Sequence, residues 1–467
     1  MEHSVTLIKD KCKGCTTCIK QCPTEAIRVR RGSATIIDER CIDCGRCIRV
    51  CPHHAKKAVH DSLERLLDFK YTIALPAPSL YGQFHNLDNI NQVLAGLLDI
   101  GFDDVYEVSR GAEVISALTG HTLADGDYQP PLISSACPAV VRLIRTRFPK
   151  LVRNIARHIA PVELAAIHAR EEAVKYTGFS EEEIGVFFVT PCPAKVTAIH
   201  EPGHLNKAVI DGAFSMADVY KKLLGRMKRE NVKELAASGA AGIGWALSGG
   251  ESSGLGIENH LAVDGIEHVY EVLEDIEDGK LSHIQFFELG ACNQGCVGGC
   301  LTVENPYVAK SRIKNLMKNI PERREPLNAQ SLADEGFLSD KFLADKFFEE
   351  SSVWQLAEDT GLAMERYQKI SELMELLPGL DCGSCGTPSC TALADDVVLG
   401  FASEDDCIFR VRERMLAISG TGNADEYLPP PFRKGTESDE PDEEAGDLDE
   451  KSDEPDEKSD ELDEKKE

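Results

Sequence analysis

The sequence predicts an α/β domain flanked by two small cysteine-rich modules and followed by an acidic tail. Three observations carry this prediction. Residues 1–60 contain two copies of one cysteine spacing. The middle of the chain alternates apolar, strand-like runs with helical stretches, the order typical of α/β domains. A second group of cysteines follows after residue 380, and the end of the chain is almost entirely acidic.

Composition limits the class of protein. The chain has 467 residues, of which 42% are apolar, enough for several domains with real cores. Nothing in it resembles a signal peptide or an apolar run of about 18 residues, so we expect a cytoplasmic protein without a membrane span. In a reducing compartment, its 17 cysteines favour metal ligation over disulfides.

The acidic tail holds half of the chain's net charge of −28, because residues 436–467 contain 18 Asp and Glu against 4 Lys. A segment with so few apolar residues cannot offset its chain entropy by burial. We therefore predict disorder over residues 434–467. The negative charge also argues against a nucleic-acid partner.

The first cysteine-rich module reads C-x2-C-x2-C-x3-C-P twice, as KCKGCTTCIKQCP and RCIDCGRCIRVCP. This spacing is typical of paired [4Fe–4S] clusters, in which the fourth cysteine of each copy ligates the other cluster. The first cluster is expected to use Cys12, Cys15, Cys18 and Cys51, and the second Cys41, Cys44, Cys47 and Cys22. Paired zinc knuckles are the alternative, but they rarely show the C-P ending and the duplicated spacing. Residues 1–60 are therefore predicted to be an α+β, bacterial-type ferredoxin module.

The second cysteine-rich module follows a stretch of helical period, GLAMERYQKISELMELLPGL. A Gly/Pro/Ser loop then carries Cys382, Cys385 and Cys390, and Cys407 comes later. The pattern resembles the small [4Fe–4S] domain of corrinoid iron–sulfur proteins, and a four-thiol zinc site is the alternative. We predict an α-helical [4Fe–4S] domain over residues 366–425, joined to the α/β domain by a helical connector over residues 321–365.

Cys137 and Cys192 share one local context in the α/β domain: an apolar strand, then Cys-Pro, then a helix. Proline suits the first helical turn, so each thiol should stand at a helix N-terminus, where an anionic sulfur is favoured. Isolated buried cysteines are the usual alternative. The repeated context, and the loop ELGACNQGCVGGC with Cys292, Cys296 and Cys300, favour a shared site.

The segments SSACPAVV, TPCPAKVTAIHE and ACNQGCVGG resemble, in order and rough spacing, the three cysteine motifs of the [FeFe]-hydrogenases. The resemblance implies an H-cluster-type α/β domain over residues 61–320. It implies that Cys137, Cys192, Cys292 and Cys296 hold a [4Fe–4S] cube. Cys296 would also bridge to a di-iron unit that carries CO, cyanide and a dithiolate.

The resemblance extends to the di-iron pocket. Ala77, Pro78 and Ser79 match the family's Ala-Pro-Ser beside one cyanide, and Lys195 matches the lysine at the other. Both roles are chemically reasonable, since an anionic ligand in a dry pocket needs a donor and a cation. Cys296, Lys195 and Ser79 are the implied catalytic residues. Taken singly, Ser79 would be a turn hydroxyl and Lys195 a surface amine.

The implied proton route departs from the family. Ala136 occupies the place of the cysteine that relays protons to the di-iron unit. The stretch GAEVISALTG has Ser116, Ala117, Leu118 and Thr119 where the family has a pair of glutamates. Further departures are Thr190 for a Met, Ala198 for a Glu, and Cys300-Leu301 within a glycine run. A sequence that keeps the pocket residues but lacks the proton-route residues is most similar to the sensory or regulatory members of the family.

The resemblance thus implies four [4Fe–4S] clusters and a di-iron subcluster. The implied function is slow, reversible oxidation of H2 to protons in an anaerobic cell, with electrons passing to a redox or signalling protein. Two alternatives stay open. The chain could be a non-catalytic electron-transfer scaffold that keeps only the cube, or a structural subunit of a larger hydrogenase complex.

Overall fold

The computed structural model describes residues 3–126, 128–227, 232–322 and 353–419, together with residues 342–344, 346, 348, 349 and 351. The acidic tail and part of the connector lie outside these residues. Among the helices that are described, none is both long and apolar enough to cross a membrane. Residues 1–410 form one compact unit; of the second unit, from residue 411 onward, the described part is 411–419.

The N-terminal part consists of two antiparallel strand pairs and two short helices. The elements are β1 (Val5–Leu7), α1 (Thr17–Lys20), β2 (Ile27–Arg30), β3 (Ser33–Ile36), α2 (Arg46–Arg49) and β4 (Lys56–Ala58). β1 pairs with β4, and β2 pairs with β3. Each half follows the order cysteine loop, short helix, strand, as the duplicated motif requires. The predicted α+β arrangement of this module is confirmed.

The middle part alternates strands and helices. Its first half contains β5 (Tyr71–Pro76), α3 (Asn91–Asp99), β6 (Asp104–Val105), α4 (Val108–Asp125), β7 (Leu132–Ile133), α5 (Pro138–Arg147), α6 (Pro161–Thr177) and β8 (Ile184–Thr190). Its second half contains α7 (Pro193–His200), β9 (Gly212–Ser215), α8 (Met216–Leu223), α9 (Ala240–Gly244), α10 (Gly250–Leu255), β10 (His260–Asp264), α11 (Ile266–Glu277), β11 (Phe286–Gly290) and α12 (Pro306–Met317). Short 3₁₀ helices interrupt the loops at Lys9–Lys11, Asp38–Arg40, Leu63–Asp68, Pro78–Gln83, Pro149–Asn154, Glu181–Glu183, Cys296–Gly298 and Glu404–Asp406.

Two parallel sheets organise this part, in the orders β6-β5-β8-β9 and β10-β11-β7. β8 is buried along its whole length, and its sequence IGVFFVT is the continuous apolar run of a strand covered on both faces. The predicted α/β class is therefore confirmed.

The ends of these strands position the candidate site. Residues 77–79 follow β5, residues 134–137 follow β7, Cys192 follows β8 and Cys292 follows β11. In open parallel sheets, ligands bind outside the carboxyl ends of the strands. The loops that carry the cysteine motifs all leave the sheets at those ends.

The C-terminal part is helical where it is described: α13 (Thr360–Leu376), α14 (Cys390–Val398) and α15 (Ile408–Ser419). Much of the predicted connector, residues 321–365, lies outside the described residues, so its helical character stays a prediction, and its residues 360–365 belong to α13. Some of its described residues before Thr360 bond through their backbone to the middle part. Ile159 N donates to Phe342 O, and Ala344 N donates to Arg157 O.

Candidate metal centre

Three of the cysteine groups line three small, separate cavities. The first cavity is lined by Cys12, Cys15, Cys18 and Cys51, the second by Cys22, Cys41, Cys44 and Cys47, and the third by Cys382, Cys385, Cys390 and Cys407. The structure thus brings together the same sets that the spacing grouped. Backbone N–H groups of Ala34, Ala26 and Ala55 donate to the sulfurs of Cys12, Cys22 and Cys51 at 3.3–3.4 Å. Hydrogen bonds of this kind tune iron–sulfur potentials.

A fourth cavity, of about 110 Å³, lies at the carboxyl ends of the parallel strands. It brings together every residue that the sequence assigned to this domain's site. These are Ala77, Pro78, Ser79, Cys137, Cys192, Lys195, Cys292 and Cys296. We call it the central cavity.

Two of its cysteines stand at helix N-termini, as predicted. Cys137 is the N-cap of α5 and Cys192 the N-cap of α7, and a proline follows each in the first helical turn. Free N–H groups and the helix dipole favour negative charge at such a position. The local sequence Cys-Pro therefore favours negative charge on both sulfurs, and negatively charged sulfurs bind metal cations.

The thiols of the central cavity are suited to metal rather than to free thiolate. Burial raises the pKa of Cys292, and the neighbouring cysteines raise it further. Burial also raises the pKa of Cys296, while the charge of Lys195 opposes that rise. A buried thiol keeps its proton until a cation takes its place, so binding of iron would release protons here.

Lys195 lines the central cavity among its cysteines. Burial lowers its pKa, whereas negative charge on the surrounding sulfurs, Cys296 first, raises it above its usual value. An ammonium group in this cavity is matched to anionic sulfur and to anionic ligands on a metal.

Ser79 supplies a second donor to the central cavity. It is fully buried, and its Oγ has no hydrogen-bond partner among the described residues. A buried hydroxyl left unsatisfied costs about 1–3 kcal/mol. Because Ser79 lines the central cavity, an acceptor bound there would satisfy it. Four thiols, a hydroxyl and an ammonium group fit a cube joined to a metal pair with anionic ligands.

Two glutamates also line the central cavity, the buried Glu251 and the half-buried Glu288, and the sequence analysis gave them no role. Glu251 accepts a hydrogen bond from Ser134 Oγ at 2.6 Å, and Glu288 accepts from Gly249 N and Ser252 N. Burial, and then the charge of Glu288, raises the pKa of Glu251 and favours its protonated form. A glutamate within the apolar strand FFELG was the available signal for Glu288.

The substituted positions lie beside the site without restoring the family's proton route. Ala136 lines the central cavity and also an adjoining cavity of about 670 Å³, whose lining includes Ala198. Ser116 accepts a hydrogen bond from Trp245 Nε1 at 2.9 Å, so its hydroxyl serves packing. Thr190 exchanges hydrogen bonds with the backbone of Cys192.

Cys300 lies outside the lining of the central cavity. A Cβ added at Gly45 would come within 2.5 Å of Cys300 Sγ, which places this thiol against the second ferredoxin loop. Arg49 joins the same two loops, since its Nη2 donates to the carbonyls of Gly298 and Gly299. Cys300 is thus a contact between loops.

Comparison with protein families gives three matches. Residues 70–223 and 212–300 match the family described as iron only hydrogenase large subunit, C-terminal domain. Residues 4–52 match a 4Fe-4S dicluster domain, and residues 377–409 match an Fe-S cluster family.

Individual proteins with a likeness to the chain include a hydrogenase subunit and solved hydrogenases. The NADP-reducing hydrogenase subunit HndD of Solidesulfovibrio fructosivorans is 25% identical over 113 residues, which are 22% of this chain. The match spans about a fifth (19%) of that protein. A variant of [FeFe]-hydrogenase HydA1 from Chlamydomonas reinhardtii has a TM-score of 0.47 at 13% identity, over 61% of this chain and 98% of its own. A HydA structure that reports stepwise H-cluster assembly has a TM-score of 0.45 at 13% identity, over 60% and 94%.

The family matches cover the same segments as the cysteine motifs and their cavities. The chain is an iron–sulfur protein, and it belongs to the [FeFe]-hydrogenase family.

Proposed function

We propose that this chain binds an H-cluster and slowly interconverts H2 with protons and electrons, in a sensory or regulatory role. The observation that carries the proposal is the central cavity, where a partnerless hydroxyl and a lysine face the four cysteines of the cube. We expect these two donors to bind anionic ligands of a di-iron unit beside the cube.

The residues of the central cavity would have different roles. Cys137, Cys192, Cys292 and Cys296 would hold the cube, and Cys296 would also hold the di-iron unit. When bound, that unit would supply the redox chemistry of H2. Ser79 and Lys195 would bind its anionic ligands. The apolar part of the lining, which includes Phe188 and Leu247, limits access of water.

Proton handling explains why turnover should be slow. Transfer of a proton over several ångströms needs positioned titratable groups, and Ala136 provides none. Glu251 is the candidate substitute in the cavity, because its raised pKa lets it hold a proton. Ser134 Oγ donates to Glu251 and accepts from Ala136 N, so this carboxyl is fixed beside the substituted position.

Electrons would pass through four cubes in all: two in the ferredoxin module, one in the central cavity and one in the C-terminal module. The acceptor would be a redox or signalling protein. The likeness to a subunit of an NADP-reducing hydrogenase also makes hydrogenase-complex subunits candidate partners.

The second candidate function is a non-catalytic electron-transfer scaffold, and Ala136 is the residue that favours it. Iron content and H2 reactivity of the fully matured protein separate the two. The proposal predicts about 18 iron atoms per chain and reduction of a viologen dye under H2. About 16 iron atoms and an unreduced dye would instead establish the scaffold.

A further inference from the structure

The C-terminal cysteine loop packs directly on strand β2 of the ferredoxin module. Gly386 O accepts a hydrogen bond from Val29 N at 2.8 Å, and Cys385 O accepts from Arg30 Nη1 at 2.7 Å. Val29 lines the first ferredoxin cavity, and Cys385 lines the C-terminal cavity. One backbone contact therefore separates the linings of two predicted cluster sites.

The closeness of this contact depends on a glycine. Gly386 has a φ of +82°, and a Cβ added there would overlap Val29 O. A side chain at position 386 would have to push the loop away from β2. Gly400, in the same module, has the same φ of +82°, but nothing lies within 4 Å of its Cβ position. Both glycines therefore have a positive φ that disfavours a side chain, but only Gly386 lies against a neighbouring strand.

A buried ion pair fixes the arrangement. Arg28 donates to both oxygens of Asp396 at 2.7 and 3.0 Å, and the two side chains are only 6% and 7% exposed. Breaking such a pair leaves an uncompensated buried charge, which is strongly destabilising. Lys20 Nζ also donates to Asp381 O, and Ser389 Oγ donates to Glu25 Oε1. The C-terminal loop is thus held in one position on β2.

Elsewhere in the ferredoxin module, Cys44 lines both the second ferredoxin cavity and the central cavity. The linings therefore meet at two places: between the C-terminal and first ferredoxin cavities, and between the second ferredoxin and central cavities.

We propose that the C-terminal module is the electron port of this chain, and that its cluster exchanges electrons directly with the first ferredoxin cluster across the Val29–Gly386 contact. Each transfer moves one electron, oxidising one cluster and reducing its neighbour. A one-electron redox protein would then dock at the C-terminal module. The inference rests on the proposed cluster ligands of the chain and is independent of its reactivity toward H2.

The test uses electron paramagnetic resonance of the full-length, cluster-loaded protein reduced with dithionite. The signal of the C-terminal cluster is identified by its loss in Cys382→Ala. We expect its magnetic coupling to a second reduced cluster to vanish in Cys15→Ala, which removes the first ferredoxin cluster. The coupling should persist in Cys41→Ala, which removes the second. Coupling that is absent from the wild type, or that is lost only in Cys41→Ala, overturns the proposal.

A glycine pair tests the same contact with every ligand kept. Gly386→Ala should weaken the coupling while iron content stays at the wild-type value, and Gly400→Ala should leave the coupling unchanged. A Gly386→Ala protein whose coupling equals that of Gly400→Ala contradicts the proposal. Because dithionite supplies the electrons, either result stands whether or not the protein reacts with H2.

Discussion

Ser79 and Lys195 are the two residues on which the proposed di-iron pocket depends. Each had an ordinary reading in the sequence, as a turn hydroxyl or a surface amine. The structure buries Ser79 without a partner and surrounds Lys195 with cysteines. These surroundings depend on loops that are distant in sequence, so no local pattern could have supplied them.

Cys296→Ser tests the proposed bridge. A serine oxygen is a poor substitute for a thiolate shared between a cube and an iron pair, so we expect the H2 response to be lost completely. The paramagnetic signals of the ferredoxin clusters should stay unchanged. Cys300→Ser, four residues further along the loop but outside the cavity lining, is the matched control. A Cys296→Ser protein that still responds to H2 would remove the bridge assignment.

Glu251→Gln tests whether the buried carboxyl handles protons. The amide keeps the size and the hydrogen bond to Ser134 but cannot release a proton, so H2 oxidation should fall by about 10-fold or more. Infrared bands of the metal site should be retained. Glu258→Gln, at an exposed position, should leave the rate unchanged. Equal rates in the two variants would exclude Glu251 from proton transfer.

His158 makes stability depend on pH. Burial, and then the charge of Arg157, lowers the pKa of His158 from 6.5 to about 4. The folded state therefore favours the neutral ring. The contribution of the neutral ring to the free energy of unfolding is complete above pH 6.5 and is lost as the pH falls toward 4. By pH 5 the free energy of unfolding should be lower by about 2 kcal/mol. Anaerobic thermal unfolding at pH 7 and pH 5 should show a smaller drop in Tm for His158→Gln than for the exposed control His283→Gln. Equal drops would contradict this assignment.

At the scale of elements, the sequence predicted best where one residue pattern has one structural solution. Cys-Pro after an apolar run gave two cysteine N-caps, and the continuous run IGVFFVT gave a buried parallel strand. The docking of the connector was less predictable. Phe342 O and Ala344 N form backbone hydrogen bonds with Ile159 N and Arg157 O of the middle part. Such tertiary pairing leaves no periodic signal in a sequence.

The contact between the second ferredoxin loop and the third hydrogenase motif depends on Gly45. Its φ of +72° costs a side chain about 1–2 kcal/mol, a cost shared by Gly32 at +75°. Only at Gly45 would a Cβ also meet Cys300 Sγ, at 2.5 Å. We expect Gly45→Ala to lower the free energy of unfolding by about 1–3 kcal/mol more than Gly32→Ala. Thermal unfolding of the two variants measures this difference, and equal midpoints would contradict the contact.

At the scale of the whole molecule, the cysteine spacing anticipated which thiols share a cavity but not how the cavities are arranged. Their arrangement depends on docking contacts such as Arg28–Asp396, which join residues more than 300 positions apart. Glu251 and Glu288 were missed for a similar reason, since their burial appears only when the loops converge. Local spacing thus encodes each site, and tertiary packing sets the relation between sites.

The central claim is that the central cavity holds a di-iron unit with CO and cyanide ligands. Infrared spectroscopy tests it most directly, on anaerobic protein co-expressed with di-iron maturation factors, first under argon and then under H2. We predict sharp bands in the CO and cyanide region that shift under H2. A spectrum without such bands, from protein fully loaded with cubes, would contradict the claim.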